Sequence, residues 1–207
     1  MTKEEYELKK QEKLSKREAV GKTDRNKGAG KKLIGWIIFI IIVALIIFGV
    51  MKIIENYSPE GEDFSQRVSS EGRNHIDIGT ANEVIEGTYN SNPPTSGPHY
   101  LDTAKTRFYD EPVEDQFIIH NLEHGDVWIA YDPRILSEYR DELEDLAGTY
   151  VIVSPREANE FDISLVAWNR LDSFNIEGSV LPEQRIRDFI LRYDNKGPEQ
   201  VRGGGSR

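Results

Sequence analysis

The sequence predicts a single compact α+β domain with a small mixed or antiparallel sheet, preceded by one transmembrane helix. Three observations lead to this prediction. An apolar run near the N-terminus extends over nineteen residues without a charge. Further along the chain, short runs of aromatic and β-branched residues are typical of strands. Amphipathic segments with helical spacing lie among them without a regular βαβ order, which favours an α+β fold over a doubly wound sheet.

The apolar run, LIGWIIFIIIVALIIFGVM, occupies residues 33–51. As a helix with a rise of about 1.5 Å per residue it would extend roughly 28 Å, close to the ~30 Å thickness of the hydrocarbon core of a bilayer. We therefore predict a transmembrane helix over residues 33–54. A cleaved signal peptide is the alternative, but the run is longer than the ~7–15 apolar residues of a signal core, and no small-residue cleavage site follows it.

The distribution of charge predicts the orientation of this helix. Residues 1–32 contain eleven Lys or Arg against six Asp or Glu, a net charge of +5. Because the whole chain carries −10, residues 33–207 carry −15. Basic flanks of a first transmembrane helix are retained in the cytoplasm, so we expect a single-pass protein of the cell membrane with residues 1–32 inside and its acidic part outside. The negative charge argues against nucleic-acid binding, which depends on basic surface.

Composition divides the chain after the predicted membrane helix. Residues 55–73 are polar and contain Pro and Gly, so we expect a juxtamembrane linker there. The Gly-rich residues 202–207 are expected to be a disordered tail. Residues 74–201 remain for the extracytoplasmic α+β domain, a length that suits one hydrophobic core.

Hydrophobic periodicity predicts the elements of this domain. Runs such as VWIAY have the aromatic and β-branched content of strands, and the helical segments place apolar side chains three and four positions apart. The predicted elements are strands at 117–120, 127–131, 150–153 and 163–167 and helices at 135–148 and 182–193.

The candidate site depends on histidine, because the chain has no cysteine and therefore no disulfide, thiolate nucleophile or Cys-type metal site. All four histidines fall between residues 75 and 124. A neutral imidazole is a good ligand for zinc and copper, and a carboxylate can complete the donor set. We predict that a divalent transition metal, zinc or copper, is bound by His75, His99, His120, His124 and Glu123.

The segment HNLEH at 120–124 matches the pattern H-x-x-E-H. On a helix this spacing puts both imidazoles on one face beside the Glu, as in inverted zinc peptidases. The flanking runs FII and VWIAY predict strands instead, which leave about five residues, too few for the long helix of such a site. We therefore assign no catalytic residue and expect no peptidase activity.

The loop YNSNPPTSGPHY at 89–100 is constrained by three prolines and a glycine. Such a loop could hold His99 rigidly as a metal ligand, or it could be a structural turn whose His is hydrogen-bonded to the backbone. The same two alternatives, metal ligands or structural hydrogen-bonding groups, apply to all four histidines. A metal-free structural or protein-interaction domain, with histidines bracing its loops, is the alternative to a metal site.

Six short motifs in the predicted domain are specific enough to compare with known families. They are NPPTSGPHY (92–100), HNLEHG (120–125), YDP (131–133), SPR (154–156), AW (167–168) and GPE (197–199).

With these motifs the chain resembles the domain-of-unknown-function family catalogued as 3105, over about residues 74–200. The resemblance implies a mostly bacterial, often membrane-anchored extracytoplasmic domain, and it includes a histidine matched here by His75. Two positions depart from the family pattern, since Asp126 and Asn169 stand where Gly is more usual. No activity is established for the family, so the resemblance supports the domain and the candidate site, and no reaction.

Overall fold

The structure is a computed structural model that describes residues 3–56, 58–80, 89–199 and 201. The chain forms two compact units, Met1–Tyr57 and Ser58–Arg207. The predicted disordered tail at 202–207 lies outside the described residues.

The first unit contains one long helix, α1, over Lys3–Asn56. Its segment Ile34–Ile54, 21 residues long, is long and apolar enough to cross a membrane, and none of its most apolar window is buried inside the protein. This candidate span falls within the predicted transmembrane helix at 33–54.

The second unit is built on a five-stranded mixed sheet and a two-stranded parallel sheet. The described strands are β1 (Gln66–Arg67), β2 (His75–Ile76), β3 (His99–Tyr100), β4 (Val127–Tyr131), β5 (Val151–Pro155), β6 (Ile163–Ala167) and β7 (Arg170–Phe174). The large sheet has the order β1-β7-β6-β4-β5, in which only β4 and β5 pair in parallel. Strands β2 and β3 form the small sheet.

Helices cover both faces of the large sheet. They are α2 (Asp115–His124), α3 (Ser137–Glu144) and α4 (Glu183–Tyr193). Ile118 and Leu122 of α2 pack with Trp128 on one face, whereas α3 and α4 pack on the other. Strand β4 is therefore buried on both faces, which explains why its sequence is continuously apolar and does not alternate.

Most predicted elements are confirmed, and one is wrong. Strands 127–131 and 163–167 have the predicted bounds, the strand at 150–153 is β5, and both predicted helices are present in shorter form. The strand predicted at 117–120 is instead part of α2. Its β-branched residues suggested a strand, but Ile118 and Leu122 lie one helical turn apart and bury the same face against the sheet. Gly125, in the left-handed conformation with φ 93°, ends the helix.

The segment predicted as a linker, 55–73, also differs from expectation. From Ser58 onward it belongs to the folded unit. The backbone N–H groups of Glu60 and Gly61 donate to the carboxylate of Asp188 on α4, and β1 pairs with β7. These contacts are made by the backbone, so the polar side chains gave no indication of them.

Candidate metal centre

Two of the predicted ligands are brought together by the small sheet. Strands β2 and β3 are parallel, and their register places His75 directly beside His99. Paired residues on neighbouring strands project to the same face of a sheet. The two rings accordingly lie with their centroids 5.0 Å apart.

Helix α2 adds His120 and Glu123, which are one turn apart on the face turned towards β3. The His120 ring lies 5.2 Å from that of His75 and 5.1 Å from that of His99, so the three rings form a nearly equilateral triangle. Each of these four side chains can offer one ligand atom, and all four atoms lie within 4.8 Å of one another. Three of the side chains are buried, and His75 is exposed.

His124 lies beside this four-residue group and not within it. Its ring packs edge-on against that of His120, with the centroids 4.5 Å apart. It also lines an open cavity of about 440 Å³ together with Asn121 and Asp126. The structure thus brings four of the five predicted ligands together and places the fifth against one of them.

Backbone carbonyls fix the protons of two rings. Nδ1 of His99 lies 2.7 Å from the carbonyl oxygen of Gly97, and Nδ1 of His120 lies 2.9 Å from that of Tyr100. A carbonyl only accepts hydrogen bonds, so each Nδ1 must carry a proton, and Nε2 of the neutral ring is left with its lone pair. Carbonyl partners of this kind orient metal-binding histidines. Burial lowers the pKa of His120, and the neighbouring His124 lowers it further, so both favour the neutral form of the ring.

The fourth member of the group is the carboxylate of Glu123, whose two oxygens face different partners. Its Oε2 lies 2.9 Å from Nε2 of His99, yet neither buried atom makes a hydrogen bond among the residues that the structure describes. If His99 is neutral and Glu123 ionised, two atoms that carry lone pairs lie 2.9 Å apart with no proton between them. The other oxygen, Oε1, forms an ion pair of 3.2 Å with Nη1 of Arg73.

Contacts of the loop at 89–100 fix its conformation in the residues that precede His99. Gly97 has φ 113° and an added Cβ would lie 3.0 Å from the Tyr89 ring, so a side chain there would be strained and crowded. Arg156 of the SPR motif donates to Asn92 at 2.6 Å and also binds the carboxylate of Asp115 at the start of α2. One arginine therefore ties the loop to the helix that carries the other ligands.

The end of α2 is held by the GPE motif. The N–H of Glu199 donates to the carbonyl of Glu123, and the N–H of Asn195 donates to that of Gly125. Gly197 passes so close that an added Cβ would lie 2.2 Å from the Glu123 carbonyl oxygen and 2.4 Å from the Gly125 nitrogen. A glycine is required there, and the motif supports the ligand helix without contributing a ligand.

Three residues near the candidate ligands, Asn121, Arg156 and Arg73, support the site without belonging to the group of four. Asn121 bonds both backbone groups of Ala104 and the carboxylate of Asp126, so it braces a loop. Arg156 could have been found, because it belongs to the SPR motif. Nothing in the sequence pointed to Arg73, since its contact with Glu123 spans fifty residues and depends on the tertiary fold.

Comparison with known protein families matches residues 82–203 to the family described as "Protein of unknown function (DUF3105)". The match covers more than half of the chain and includes His99, His120 and Glu123, whereas His75 precedes it. No curated protein and no solved structure matches the chain.

Proposed function

The chain belongs to the DUF3105 family, whose function is unknown, and from its side chains we propose that it binds a divalent transition-metal ion through His75, His99, His120 and Glu123. Imidazole nitrogens with one carboxylate oxygen and no sulfur suit zinc or copper. We further propose that residues 33–54 anchor the protein in the cell membrane with the domain outside. Protease added to intact cells should then remove a C-terminal epitope and spare an N-terminal one, and the reverse pattern would contradict this orientation.

The observation that carries the metal proposal is the pair of buried atoms at 2.9 Å, Nε2 of His99 and Oε2 of Glu123, neither of which is hydrogen-bonded among the described residues. An unsatisfied buried polar atom costs about 1–3 kcal/mol, and more if it is charged. A protonated ring could donate to the carboxylate, but the two groups are not aligned for that hydrogen bond. A cation between them would use both lone pairs.

The four ligand atoms are already close enough for such a site. They lie within 4.8 Å of one another, whereas Zn–N distances of about 2.0–2.1 Å in a tetrahedral site bring ligand atoms to roughly 3.3 Å from each other. His75 is exposed, whereas Nε2 of His99 and Oε2 of Glu123 are buried and already lie 2.9 Å apart.

The alternatives explain these contacts less well. In a metal-free structural domain the rings would brace the loops by hydrogen bonds, as Nδ1 of His99 and Nδ1 of His120 do. This alternative leaves Nε2 of His99 and Oε2 of Glu123 without a hydrogen bond among the described residues. The helical conformation of HNLEH removes one objection to a peptidase. However, Glu123 lies among the ligand atoms and pairs with Arg73, so it is not placed as a free general base.

The test uses the full-length chain in detergent, stripped with a chelator and titrated with Zn(II) or Cu(II) at pH 7.5. Calorimetry should show one ion bound, and a hundredfold excess over Kd should stabilise the fold by about 2.7 kcal/mol. His99→Asn should abolish the shift in melting temperature. His124→Asn is the matched control and should retain it, because His124 lies outside the four-residue group. Absence of binding would contradict the proposal, and equal losses in both variants would contradict this set of ligands.

A further inference from the structure

We infer that Arg73 is a positioning residue of this centre, which holds one oxygen of Glu123 so that the carboxylate offers a single oxygen to the ion. The inference rests on the proposed metal site and extends it, because it assigns how the carboxylate binds and therefore how many donors surround the metal.

The two oxygens of Glu123 have different surroundings. Oε1 is engaged by the guanidinium of Arg73 at 3.2 Å, whereas Oε2 faces Nε2 of His99 at 2.9 Å, on the side where the ligand atoms converge. The carboxylate is buried, with 3% of its side chain exposed, and the arginine is 53% exposed. A charged partner at Oε1 opposes rotation of the carboxylate to present both oxygens inward.

The backbone around Arg73 is fixed to the loop that delivers His99. On one side, the N–H of Glu71 donates to Oγ of Ser96, and the carbonyl of Gly72 accepts from the N–H of Gly97. On the other, the carbonyl of Asn74 accepts from the N–H of His99. Arg73 therefore starts from a tethered backbone, although its side chain is half exposed, and it is directed at Glu123 by the same contacts that place His99.

The consequence concerns coordination number. Three imidazoles and one carboxylate oxygen make four donors, the number that zinc takes in tetrahedral sites. If the carboxylate could chelate with both oxygens, a fifth donor would be added. Larger, oxygen-preferring ions tolerate such higher coordination more readily. Arg73 would thus favour zinc-like over calcium-like or manganese-like ions.

The experiment replaces Arg73 in the full-length chain in detergent and uses Co(II) as a spectroscopic probe, because its visible absorption is intense in four-coordinate sites and weak at higher coordination. Arg73→Met should weaken zinc binding about tenfold or more, the usual effect of losing a residue that orients a ligand, and should lower the Co(II) absorptivity. Arg73→Lys should restore part of both. Arg187→Met is the matched control, since Arg187 is 51% exposed and also ion-paired, but with Glu183.

The outcomes separate the two proposals. If the wild-type chain binds no metal, the metal site itself is wrong and this inference falls with it. If the wild type binds but Arg73→Met has unchanged affinity and spectrum, only the role of Arg73 is wrong. A weaker affinity with an unchanged Co(II) spectrum also overturns the inference, because it would show a general effect of charge and no change in how Glu123 binds.

Discussion

Two buried carboxylates of the domain, Glu123 and Asp188, lie on helices. Both are contacted by residues of the segment that precedes β2, but the partners of their oxygens differ. Asp188, 2% exposed, accepts hydrogen bonds from the backbone N–H groups of Glu60 and Gly61 and from the amide of Gln184. Glu123, also 2% exposed, pairs with Arg73 at one oxygen. Its other oxygen faces a histidine nitrogen and has no hydrogen bond from any residue that the structure describes.

The difference distinguishes a structural carboxylate from a candidate ligand. At Asp188 the protein supplies donors for both oxygens, so the folded state is complete without anything added. At Glu123 the described part of the chain supplies a partner for only one oxygen, and native proteins rarely leave a buried polar atom without a partner unless it has a functional role. Substitutions that remove the charge without changing the shape should therefore have opposite effects at the two positions.

The largest effect is expected for Asp188→Asn. The new amide would direct a donor at a backbone N–H that now binds a carboxylate oxygen, and hydrogen bonds to charged groups contribute about 1.5–3 kcal/mol each. We expect a loss of about 2–3 kcal/mol in the free energy of unfolding, or roughly 5–10 °C in melting temperature for a domain of this size. Calorimetry of the chelator-treated protein measures this. Asp141→Asn, at an exposed position on α3, is the control and should change little.

Glu123→Gln should have a smaller effect of the opposite sign. The amide oxygen can remain towards Arg73, and a small rotation of the side chain would align the amide nitrogen to donate to Nε2 of His99. This would satisfy a buried acceptor at a gain of about 1 kcal/mol. The metal-free variant should therefore melt at or above the temperature of the wild type, and added zinc should no longer stabilise it. Destabilisation as large as that of Asp188→Asn would mean that Glu123 is structural.

Glu123 could be predicted as a candidate ligand from the sequence, whereas the structural role of Asp188 could not be predicted. Glu123 was a candidate because it lies in the motif HNLEHG between two histidines, and no tertiary information was needed to name it. Asp188 had no such signal, because its donors come from Glu60 and Gly61, in a polar segment that composition predicted to be a linker. Backbone donors carry no sequence signature, so a contact made by them is invisible until the fold is known.

The fold was predictable where burial alone decides the structure. Strand β4 and the helical face of Tyr139 and Leu143 follow directly from hydrophobic pattern. Helix α2 was mistaken for a strand because Ile118 and Ile119 favour β structure locally, and packing against the sheet overrides this weak preference. Because α2 sets the spacing of His120 and Glu123, the wrong strand prediction also made it impossible to tell which residues of HNLEH meet at the site. His124 was therefore predicted as a ligand together with them.

The smallest expected effect is the dependence of stability on pH. It distinguishes the site around Glu123 from the surroundings of Asp188 within a single experiment. The pKa of His120 is lowered from its ordinary value of 6.5, mainly by burial and then by His124. Below about pH 6.5 the unfolded chain therefore takes up a proton that the folded chain does not, and stability falls as pH decreases towards the folded-state pKa of His120.

Asp188 acts in a different window. Burial works to raise its pKa, but the hydrogen bonds from Glu60, Gly61 and Gln184 outweigh burial and hold it below the ordinary value of 3.8. Its stabilisation is present above that value and is lost as pH falls through the lowered pKa. Melting temperatures of the chelator-treated protein should therefore fall in two steps, one starting near pH 6.5 and one below about pH 4. His120→Asn should remove the first step. Asp188→Asn should reduce the second without abolishing it, because the pKa values of Asp63 and Asp132 are also lowered from 3.8. If the step near pH 6.5 persists in His120→Asn, that step belongs to another histidine. In the zinc-bound wild type the same step should be larger, because protons then compete with the metal for the rings.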